Sequence, residues 1–151
     1  MTTAPRPSGM KAVVMAGGEG TRLRPMTANQ PKPLLPVVNR PIMEHVLRLL
    51  RKHGFTDTVV TVQFLASLIR NYFGDGDELG MNLQYATEEK PLGTAGSVKN
   101  AEAELRDTRF VVMSGDALTD IDLTAMARFH EDNNALLTVA LKSVPNPLEF
   151  G

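Results

Sequence analysis

The stretch KAVVMAGGEGTRLRPMTANQPKPLLPV, residues 11–37, joins an apolar strand pattern to a long loop rich in glycine and proline. Its start, KAVVMA, is short, partly β-branched and followed by glycines, which predicts a fully buried strand over 11–16 of the kind found in parallel sheets. The remainder contains four prolines, at positions 25, 31, 33 and 36, and therefore cannot form a regular helix or strand. Loops of this length are uncommon in a domain unless they are functional or disordered. Its apolar residues, such as Leu34 and Leu35, favour a folded, functional loop.

Beyond this loop, helical and strand patterns alternate along the chain. Strands are predicted over 57–62, 83–86, 110–113 and 135–141. One helix is predicted from Pro41 until Gly54 ends it, and others over 65–73, 94–105 and 123–133, the last capped by Asp122. This alternation predicts an α/β fold with a doubly wound, mostly parallel Rossmann-like sheet and helices on both faces. Ligands bind beyond the carboxyl ends of such strands, so we expect the long loop and the SGD sequence (114–116) to border one cleft.

The composition limits the class of function. The chain has 151 residues, of which 42% are apolar, which is enough for the core of one domain. Its net charge of −1 gives no overall attraction for nucleic acid or an anionic membrane, so neither is an expected partner. The absence of cysteine excludes disulfides and thiolate chemistry. Without a membrane-length apolar run or a signal sequence, we expect a cytoplasmic protein in which residues 10–151 form the domain and residues 1–9 are disordered or an added extension.

Glycines at positions 17, 18 and 20 follow the predicted first strand. Because they lack side chains, backbone N–H groups can approach an anion closely, which indicates a phosphate site. The pattern is not the dinucleotide fingerprint, because Leu23 stands where a third glycine would be needed, and it lacks the Gly-Lys-Ser/Thr ending of a P-loop. A tight turn that leaves a strand would explain these glycines equally well.

Four cations in the same loop favour the phosphate interpretation. They are Arg22, Arg24, Lys32 and Arg40, and they are accompanied by one acid, Glu19. Arginine offers a planar fork to phosphate oxygens and lysine offers a point charge, a combination suited to a polyphosphate. The alternative is that these are solvated loop charges, which we expect most for Arg24 and Arg40.

Three segments of this region, GGEGTRLRPMT (17–27), PKPLLPV (31–37) and RPIMEHVL (40–47), resemble the sugar-phosphate nucleotidylyltransferases. The resemblance continues through PLGTAGSV (91–98) and VVMSGDALTDIDL (111–123). Members of this family join a nucleoside triphosphate to a sugar 1-phosphate and release pyrophosphate. The resemblance therefore implies that a nucleoside triphosphate and a sugar 1-phosphate are the partners of this chain, with Mg²⁺ as cofactor.

The resemblance also implies roles for individual residues. Arg22 and Lys32 are the catalytic candidates, since both would contact phosphate. Such a transfer needs positioning and charge neutralisation more than a covalent catalyst, so cations of this kind suffice. The loop residues that would hold the triphosphate are Ala16, Gly17, Gly18, Gly20, Thr21 and Arg22.

Asp116 is the predicted metal ligand, because it follows a buried strand and matches the magnesium-binding residue of the family. Mg²⁺ needs only one or two protein carboxylates when substrate phosphates supply other ligands. The alternative is a turn residue after Gly115. We leave Asp120 and Asp122 out of the site, because their spacing is not that of a calcium loop. The histidines, at positions 45, 53 and 130, are interpreted as structural.

The segment EEKPLGTAG, residues 88–96, lies between a predicted strand and a predicted helix. A helix N-terminus is one interpretation, but in the family this segment faces the nucleobase. ADP-glucose-type enzymes have the sequence GTAD in this segment, whereas this chain has Gly96 in the last position. Thymidylyl and uridylyl enzymes usually have a Gln shortly before the segment, where this chain has Ala86. PLGTAG is most similar to the mannose-1-phosphate guanylyltransferases, which implies GTP and mannose 1-phosphate. An enzyme using UTP, dTTP or ATP, or a non-catalytic nucleotide-sensing module, is the alternative. The residues implied in base binding are Glu88, Pro91, Gly93, Thr94, Ala95 and Gly96, with Glu89 as the alternative to Glu88 for the glutamate that faces the base.

One departure from the family concerns the end of the chain. Family members continue to a Glu-Lys-Pro segment, whose lysine binds the sugar phosphate, and to a second metal-binding Asp, and this chain ends before both. Gly151, in NPLEFG, matches a glycine that contacts the sugar. We therefore expect residues 10–151 to be the N-terminal nucleotide-binding part of the domain, truncated at its C-terminus and weakly active or inactive alone. The resemblance also allows a homo-oligomer.

Overall fold

A computed structural model describes residues 9–146 and 148, and shows a four-stranded parallel sheet between helices. The strands are β1 (Lys11–Met15), β2 (Pro36–Val37), β3 (Arg40–Pro41), β4 (Asp57–Val62), β5 (Asn82–Thr87) and β6 (Phe110–Ser114). The α-helices are α1 (Ile42–Lys52), α2 (Ala66–Phe73), α3 (Gly93–Asn100), α4 (Glu102–Leu105) and α5 (Leu123–Asp132). Short 3-10 helices occupy Thr21–Leu23, Lys32–Leu34 and Asp77–Leu79. None of the helices formed by the described residues has the length and apolar character needed to cross a membrane.

Strand β1 lies inside the sheet, whose order is β5-β4-β1-β6. Val13 of β1 is opposite Val59 of β4 on one side and Val112 of β6 on the other. Residues 12–14 are fully buried, as expected for an inner strand that is covered on both faces. The chain leaves β1 toward β4 and later returns to β6 on the opposite side. The strand order therefore reverses between β1 and β6, at the kind of position where α/β sheets bind ligands.

Two apolar clusters cover the two faces of the sheet. On one face, Val14 belongs to a cluster with Leu47 of α1 and Ile69 of α2. On the other face, Val13 belongs to a cluster with Leu105 of α4. Adjacent residues of a strand face opposite sides, so β1 contributes to both clusters. This arrangement confirms the predicted α/β fold with helices on both faces.

The proline-rich loop between β1 and α1 is folded, as predicted. The Thr27 hydroxyl donates to the carbonyl oxygen of Gly20 at 2.8 Å, and the Gln30 amide donates to the carbonyl oxygen of Leu34 at 2.7 Å. Leu34 and Leu35 are buried, and β2 pairs with β3 in a small antiparallel hairpin. These contacts fix the loop with only short helical turns and two-residue strands.

The helix predicted over 94–105 is two helices in the structure, α3 and α4, which are separated at Ala101. This residue has φ −92° and ψ 17°, and its N–H donates to the carbonyl oxygen of Val98, three residues earlier, at 3.1 Å. Its side chain is fully buried in the cluster that contains Val13 and Leu105. The tighter turn at Ala101 lets both helices pack against that face of the sheet.

The strand predicted over 135–141 is wrong. The segment, ALLTVAL, is almost entirely apolar, but its large apolar side chains have exposed fractions between 64% and 103%. The segment is instead hydrogen-bonded to the end of α5. The N–H of Ala135 donates to the carbonyl oxygen of His130, and His130 Nδ1 lies 2.9 Å from the Thr138 hydroxyl oxygen. A strand needs a neighbour for its backbone hydrogen bonds, and no strand among the described residues pairs with this segment.

The histidines and Asp122 have the structural partners expected of them. His45 contacts a backbone carbonyl oxygen, and His53 and His130 each contact a threonine hydroxyl, all at 2.9 Å. The Asp122 carboxylate accepts a hydrogen bond of 2.9 Å from the N–H of Ala125 and caps α5. These residues therefore stabilise the fold outside the cleft.

Candidate functional site

A cavity of about 320 Å³ lies where β1, β5 and β6 end. Its size is within the range of small-molecule sites. Three segments line it: the loop after β1, the connection from β5 into α3, and the turn after β6. The predicted site residues that line it are Ala16, Gly17, Gly18, Gly20, Lys32, Glu88, Pro91, Gly93, Thr94 and Asp116. The two motifs expected to border one cleft therefore do so.

The glycine loop lines this cavity and contains backbone N–H groups without partners among the described residues. Within the described part of the chain, the N–H groups of Gly17, Gly18 and Gly20 donate to no other residue. All three residues line the cavity, and a side chain at Gly18 would have open space around it. Unpaired N–H groups in a Gly-rich loop form a suitable environment for an anion.

Gly20 sets the turn that follows this loop. Its φ of +63° is in the left-handed region that favours glycine. An added Cβ would lie 3.0 Å from Cγ2 of Thr27 and 3.1 Å from Cβ of Lys32. The close approach brings the backbone of the glycine loop against the stem of Lys32, so the two predicted phosphate-binding elements are packed together.

Arg22 lies beside the cavity and does not line it. Thr21 and Arg22 begin the 3-10 helix after Gly20 and are exposed. Arg22 makes no ion pair with any residue in the described part of the chain. The two arginines expected at the surface lie outside the cavity, where Arg24 is 3.5 Å from Glu19 and Arg40 is 2.9 Å from Glu44. Arg22 is thus the arginine of this loop whose charge is left for a ligand.

An ion pair joins the two motif loops across the cavity. Lys32 Nζ lies 2.8 Å from Oδ2 of Asp116, and the Ser114 hydroxyl donates to Oδ1 of Asp116 at 2.5 Å. Partial burial disfavours the charged carboxylate, but the hydrogen bonds from Lys32 and Ser114 outweigh it and hold the pKa of Asp116 below its usual value. Asp116 is therefore ionised at neutral pH, as a metal ligand must be.

Glu88 is the buried carboxylate of the base-side segment. It follows the last residue of β5, and its N–H donates to the carbonyl oxygen of Val62 at 2.9 Å. The whole residue is only 6% exposed. Among the described residues, its Oε1 atom is buried without a hydrogen-bond partner. An added Cβ at Gly17 would lie 3.4 Å from that atom. The neighbouring Glu89 is exposed, so Glu88 is the glutamate that faces the site.

Ala95 and Gly96 do not line the cavity. They belong to the first turn of α3, where Ala95, one position after Thr94, lies on another face of the helix. Ala95 is exposed, and an added Cβ at Gly96 would lie 2.8 Å from Cβ of Leu92, so packing within the helix explains that glycine. The predicted sugar contact, Gly151, lies outside the described residues.

Two hydroxyl residues of the cavity were missed by the sequence analysis. Ser114 holds Asp116, and Ser97 donates to the carbonyl oxygen of Gly93 at 2.7 Å while lining the cavity. Ser97 comes three residues after Thr94 and so shares its helix face, a spacing that could have identified it. The SGD sequence likewise places Ser114 beside the predicted metal ligand.

The acidic residues of the cavity suit a divalent cation only when a bound phosphate group supplies further metal ligands. No group of three or more His, Asp or Glu side chains suited to a metal occurs in residues 9–146. Asp116 is one carboxylate at the cavity wall, and Glu88 is the other acid that lines it. Mg²⁺ keeps most of its ligands as water or phosphate, so one such carboxylate is sufficient when a phosphate group is also present.

Comparison with known proteins agrees with this geometry. The sequence profile of the nucleotidyl transferase family matches residues 11–151. A UTP–glucose-1-phosphate uridylyltransferase from Synechocystis sp. is 41% identical over 92% of this chain, and a mannose-1-phosphate guanylyltransferase from Mycobacterium tuberculosis is 39% identical over 93%. The chain spans 39% of the length of each of these relatives.

Solved structures give the same result. A Bacillus anthracis protein assigned as a glucose-1-phosphate thymidylyltransferase is similar with a TM-score of 0.77 and 28% identity, over 82% of this chain and 50% of that chain. The HddC protein of Yersinia pseudotuberculosis, solved with GMP-PN, is similar with a TM-score of 0.73 and 25% identity, over 82% of this chain and 55% of that chain. By its sequence and its fold, the chain belongs to the nucleotidyl transferase family.

Proposed function

We propose that this chain supplies the nucleotide-binding part of a sugar-1-phosphate nucleotidyltransferase that uses GTP and mannose 1-phosphate. The observation that carries the proposal is the cavity at the switch point of the sheet, which unites the glycine loop, Lys32 and Asp116. A nucleoside triphosphate needs donors and cations for its phosphates and a separate pocket for its base. Both kinds of group border this cavity.

The phosphates would bind to the glycine loop and its cations. The N–H groups of Gly17, Gly18 and Gly20 supply donors, and Lys32 supplies a positive charge at the same wall. Arg22 is exposed on the helical turn that follows, where its guanidinium can bind the terminal phosphates. This part of the site would serve any nucleoside triphosphate, whatever its base.

In the proposed reaction, an oxygen of the sugar 1-phosphate attacks the α-phosphorus of the nucleotide. The bond between that phosphorus and the oxygen bridging it to the β-phosphorus breaks, and pyrophosphate leaves with the bonding electrons. The chain's residues would act by positioning and by neutralising charge, with Lys32 and Arg22 at the leaving group. Asp116 would hold Mg²⁺ together with the phosphates, and the ion would neutralise further phosphate charge.

Glu88 supports the choice of guanine. Guanine presents adjacent N1–H and N2–H₂ donors, which a carboxylate with an unpaired oxygen can accept. The names of the Mycobacterium relative and the GMP-PN complex of the Yersinia protein agree with a guanine nucleotide. A buried acceptor without a partner is costly, so it discriminates against bases that offer no matching donors.

A uridylyl enzyme is the second candidate, favoured by the 41% identity to the Synechocystis uridylyltransferase. Uracil has one N–H donor between two carbonyl oxygens, and those oxygens would repel the carboxylate of Glu88. We therefore place guanine first on chemical grounds.

Titration of the purified chain with GTP, UTP, dTTP and ATP at one fixed Mg²⁺ concentration tests the base assignment. GTP is expected to bind about tenfold tighter than UTP, or more, because an unpaired buried acceptor rejects the wrong base strongly. Glu88→Gln should reduce this preference, since an amide has a single acceptor oxygen. Glu89→Gln, at the exposed neighbour, is the matched control and should leave it unchanged. Tighter binding of UTP or dTTP, or equal effects of the two variants, would contradict the guanine assignment.

A further inference from the structure

Both oxygens of the Asp116 carboxylate already have partners within the chain. Oδ2 is 2.8 Å from Lys32 Nζ, and Oδ1 accepts from the Ser114 hydroxyl. Of the described residues that line the cavity, Lys32 alone carries a positive charge. The carboxylate that would hold a divalent cation is thus neutralised by the same lysine that would hold a phosphate.

The geometry lets Lys32 change partners without refolding of the loop. Pro31 and Pro33, which flank it, are buried, and its Cβ packs against Gly20. Both side chains are partly exposed, Lys32 to 30% and Asp116 to 33%. Lysine carries its charge on a flexible four-carbon stem, so the ammonium group can move between the carboxylate and the glycine loop while the backbone stays fixed.

The charges prevent Asp116 from binding Lys32 and a divalent cation at the same time. A divalent cation on Asp116 would lie within a few ångströms of the Lys32 ammonium and be repelled by it. A triphosphate on the glycine loop would attract that ammonium away from Asp116 and would also bring phosphate oxygens as metal ligands. The cation and the triphosphate therefore both favour the state in which Lys32 has left Asp116, and each makes it easier for the other to bind.

We propose that Lys32 forms an ion pair with Asp116 in the ligand-free protein, and that a divalent cation replaces Lys32 on Asp116 when a triphosphate binds. The site then takes the cation and the triphosphate together and excludes the cation alone. This inference rests on the proposed function and adds to it the order in which the site is filled. The coupling is reciprocal, so the cation also raises the affinity for the triphosphate.

Binding of Mn²⁺ to the nucleotide-free chain tests the exchange. Free Mn²⁺ is measured by electron paramagnetic resonance during titration of the wild type and of Lys32→Met, a variant that keeps most of the apolar stem and removes the charge. We expect Mn²⁺ to bind about tenfold tighter to Lys32→Met than to the wild type, because a competing charge at close range is removed. Adding Asp116→Asn to Lys32→Met should abolish the gain.

Lys52→Met is the matched control, because Lys52 is an exposed lysine at the end of α1 and its loss changes the net charge equally. It should leave the Mn²⁺ affinity close to that of the wild type. Equal affinities of the wild type and Lys32→Met, or equal gains in the two Met variants, would overturn the exchange. Circular dichroism melting curves establish that each variant is folded.

A parallel titration of the wild type with GTP separates this inference from the proposed function. If GTP binds but Lys32→Met does not gain Mn²⁺ affinity, the exchange is wrong and the nucleotide site stands. If Lys32→Met gains Mn²⁺ affinity but no nucleoside triphosphate binds, Lys32 does compete with the cation for Asp116, but the proposed function and the role of the triphosphate in the exchange are wrong.

Discussion

Thr27 positions the glycine loop through one buried hydrogen bond, and two substitutions separate that role from simple packing. Its side chain is almost fully buried, and its hydroxyl donates to the carbonyl oxygen of Gly20 at 2.8 Å. The methyl group packs where a Cβ of Gly20 would lie. Thr27→Val keeps the methyl and loses the hydroxyl, whereas Thr27→Ser keeps the hydroxyl and loses the methyl.

The two variants should cost similar stability. A neutral hydrogen bond contributes about 1 kcal/mol, and the Gly20 carbonyl oxygen keeps its bond from the Leu23 N–H, so Thr27→Val leaves no unpaired acceptor. The buried methyl lost in Thr27→Ser is worth about 0.8 kcal/mol. For a chain of this size, either loss lowers the melting temperature by roughly 2–4 °C.

The affinity for GTP should distinguish them. Thr27→Val frees the turn that carries Gly20 and Arg22, and re-ordering that turn on binding should weaken GTP by about fivefold, the equivalent of about 1 kcal/mol. Thr27→Ser should bind GTP as the wild type does. Isothermal titration of both variants, with melting curves, is the assay. Equal affinities of the two variants would refute the positioning role and leave Thr27 as a packing residue.

Three further predictions concern Arg22, Glu44 and the activity of the chain. Arg22→Ala should weaken GTP binding by about tenfold in titrations while leaving the melting temperature unchanged, because Arg22 is exposed and unpaired within the described residues. Glu44→Gln should lower stability by about 2 kcal/mol in urea unfolding, with no change in GTP affinity, since the Glu44 carboxylate accepts from both Arg40 and Arg48 outside the cavity. Burial acts to raise the pKa of Glu44, but the hydrogen bonds from its arginine partners outweigh this effect and lower the pKa. The stability that Glu44 contributes is therefore present above its unfolded pKa of about 4.3 and is lost as the pH falls through the lower folded pKa. Unfolding curves of the wild type at decreasing pH should show this loss, and those of Glu44→Gln should not. The chain alone should form little nucleotide sugar in a pyrophosphate-release assay, because Lys32 is the one cation that lines the cavity among the described residues, and a sugar phosphate requires another.

The sequence was informative where local pattern and physical role coincide. The buried run over 11–16 and the glycines after it predict β1 and its loop, because an inner parallel strand must be apolar and its carboxyl end must allow close approach. The four prolines and the apolar residues among them predict a folded loop without regular structure. The family resemblance then assigned most of the residues that line the cavity.

Features that depend on distant contacts could not be predicted in this way. The nearly continuous apolar run over 135–141 predicts a strand, but a strand also requires a pairing partner, which the pattern does not contain. The Lys32–Asp116 ion pair joins loops that are far apart in the sequence. A motif also does not say which helix face its residues occupy, so Ala95 was assigned with Thr94 although it lies on another face.

The choice between Glu88 and Glu89 shows a signal that the sequence did contain. Side chains alternate along a strand, and the buried Ala86 lies two residues before Glu88 on the same strand path. Extending that alternation past the end of β5 places Glu88 inward and Glu89 outward, as the structure shows. The alternation becomes usable only when the strand is known to continue to residue 87.

The proposed function depends above all on the glycine loop binding the phosphates of a nucleoside triphosphate in the cavity where β1, β5 and β6 end. Amide ¹H–¹⁵N spectra of the chain, recorded during titration with GTP and Mg²⁺, test it most directly. We expect the largest shifts at the amides of Gly17, Gly18 and Gly20, with further changes at Asp116 and Thr94. Shifts confined to residues away from the cavity, or unchanged glycine amides at saturating GTP, would contradict it.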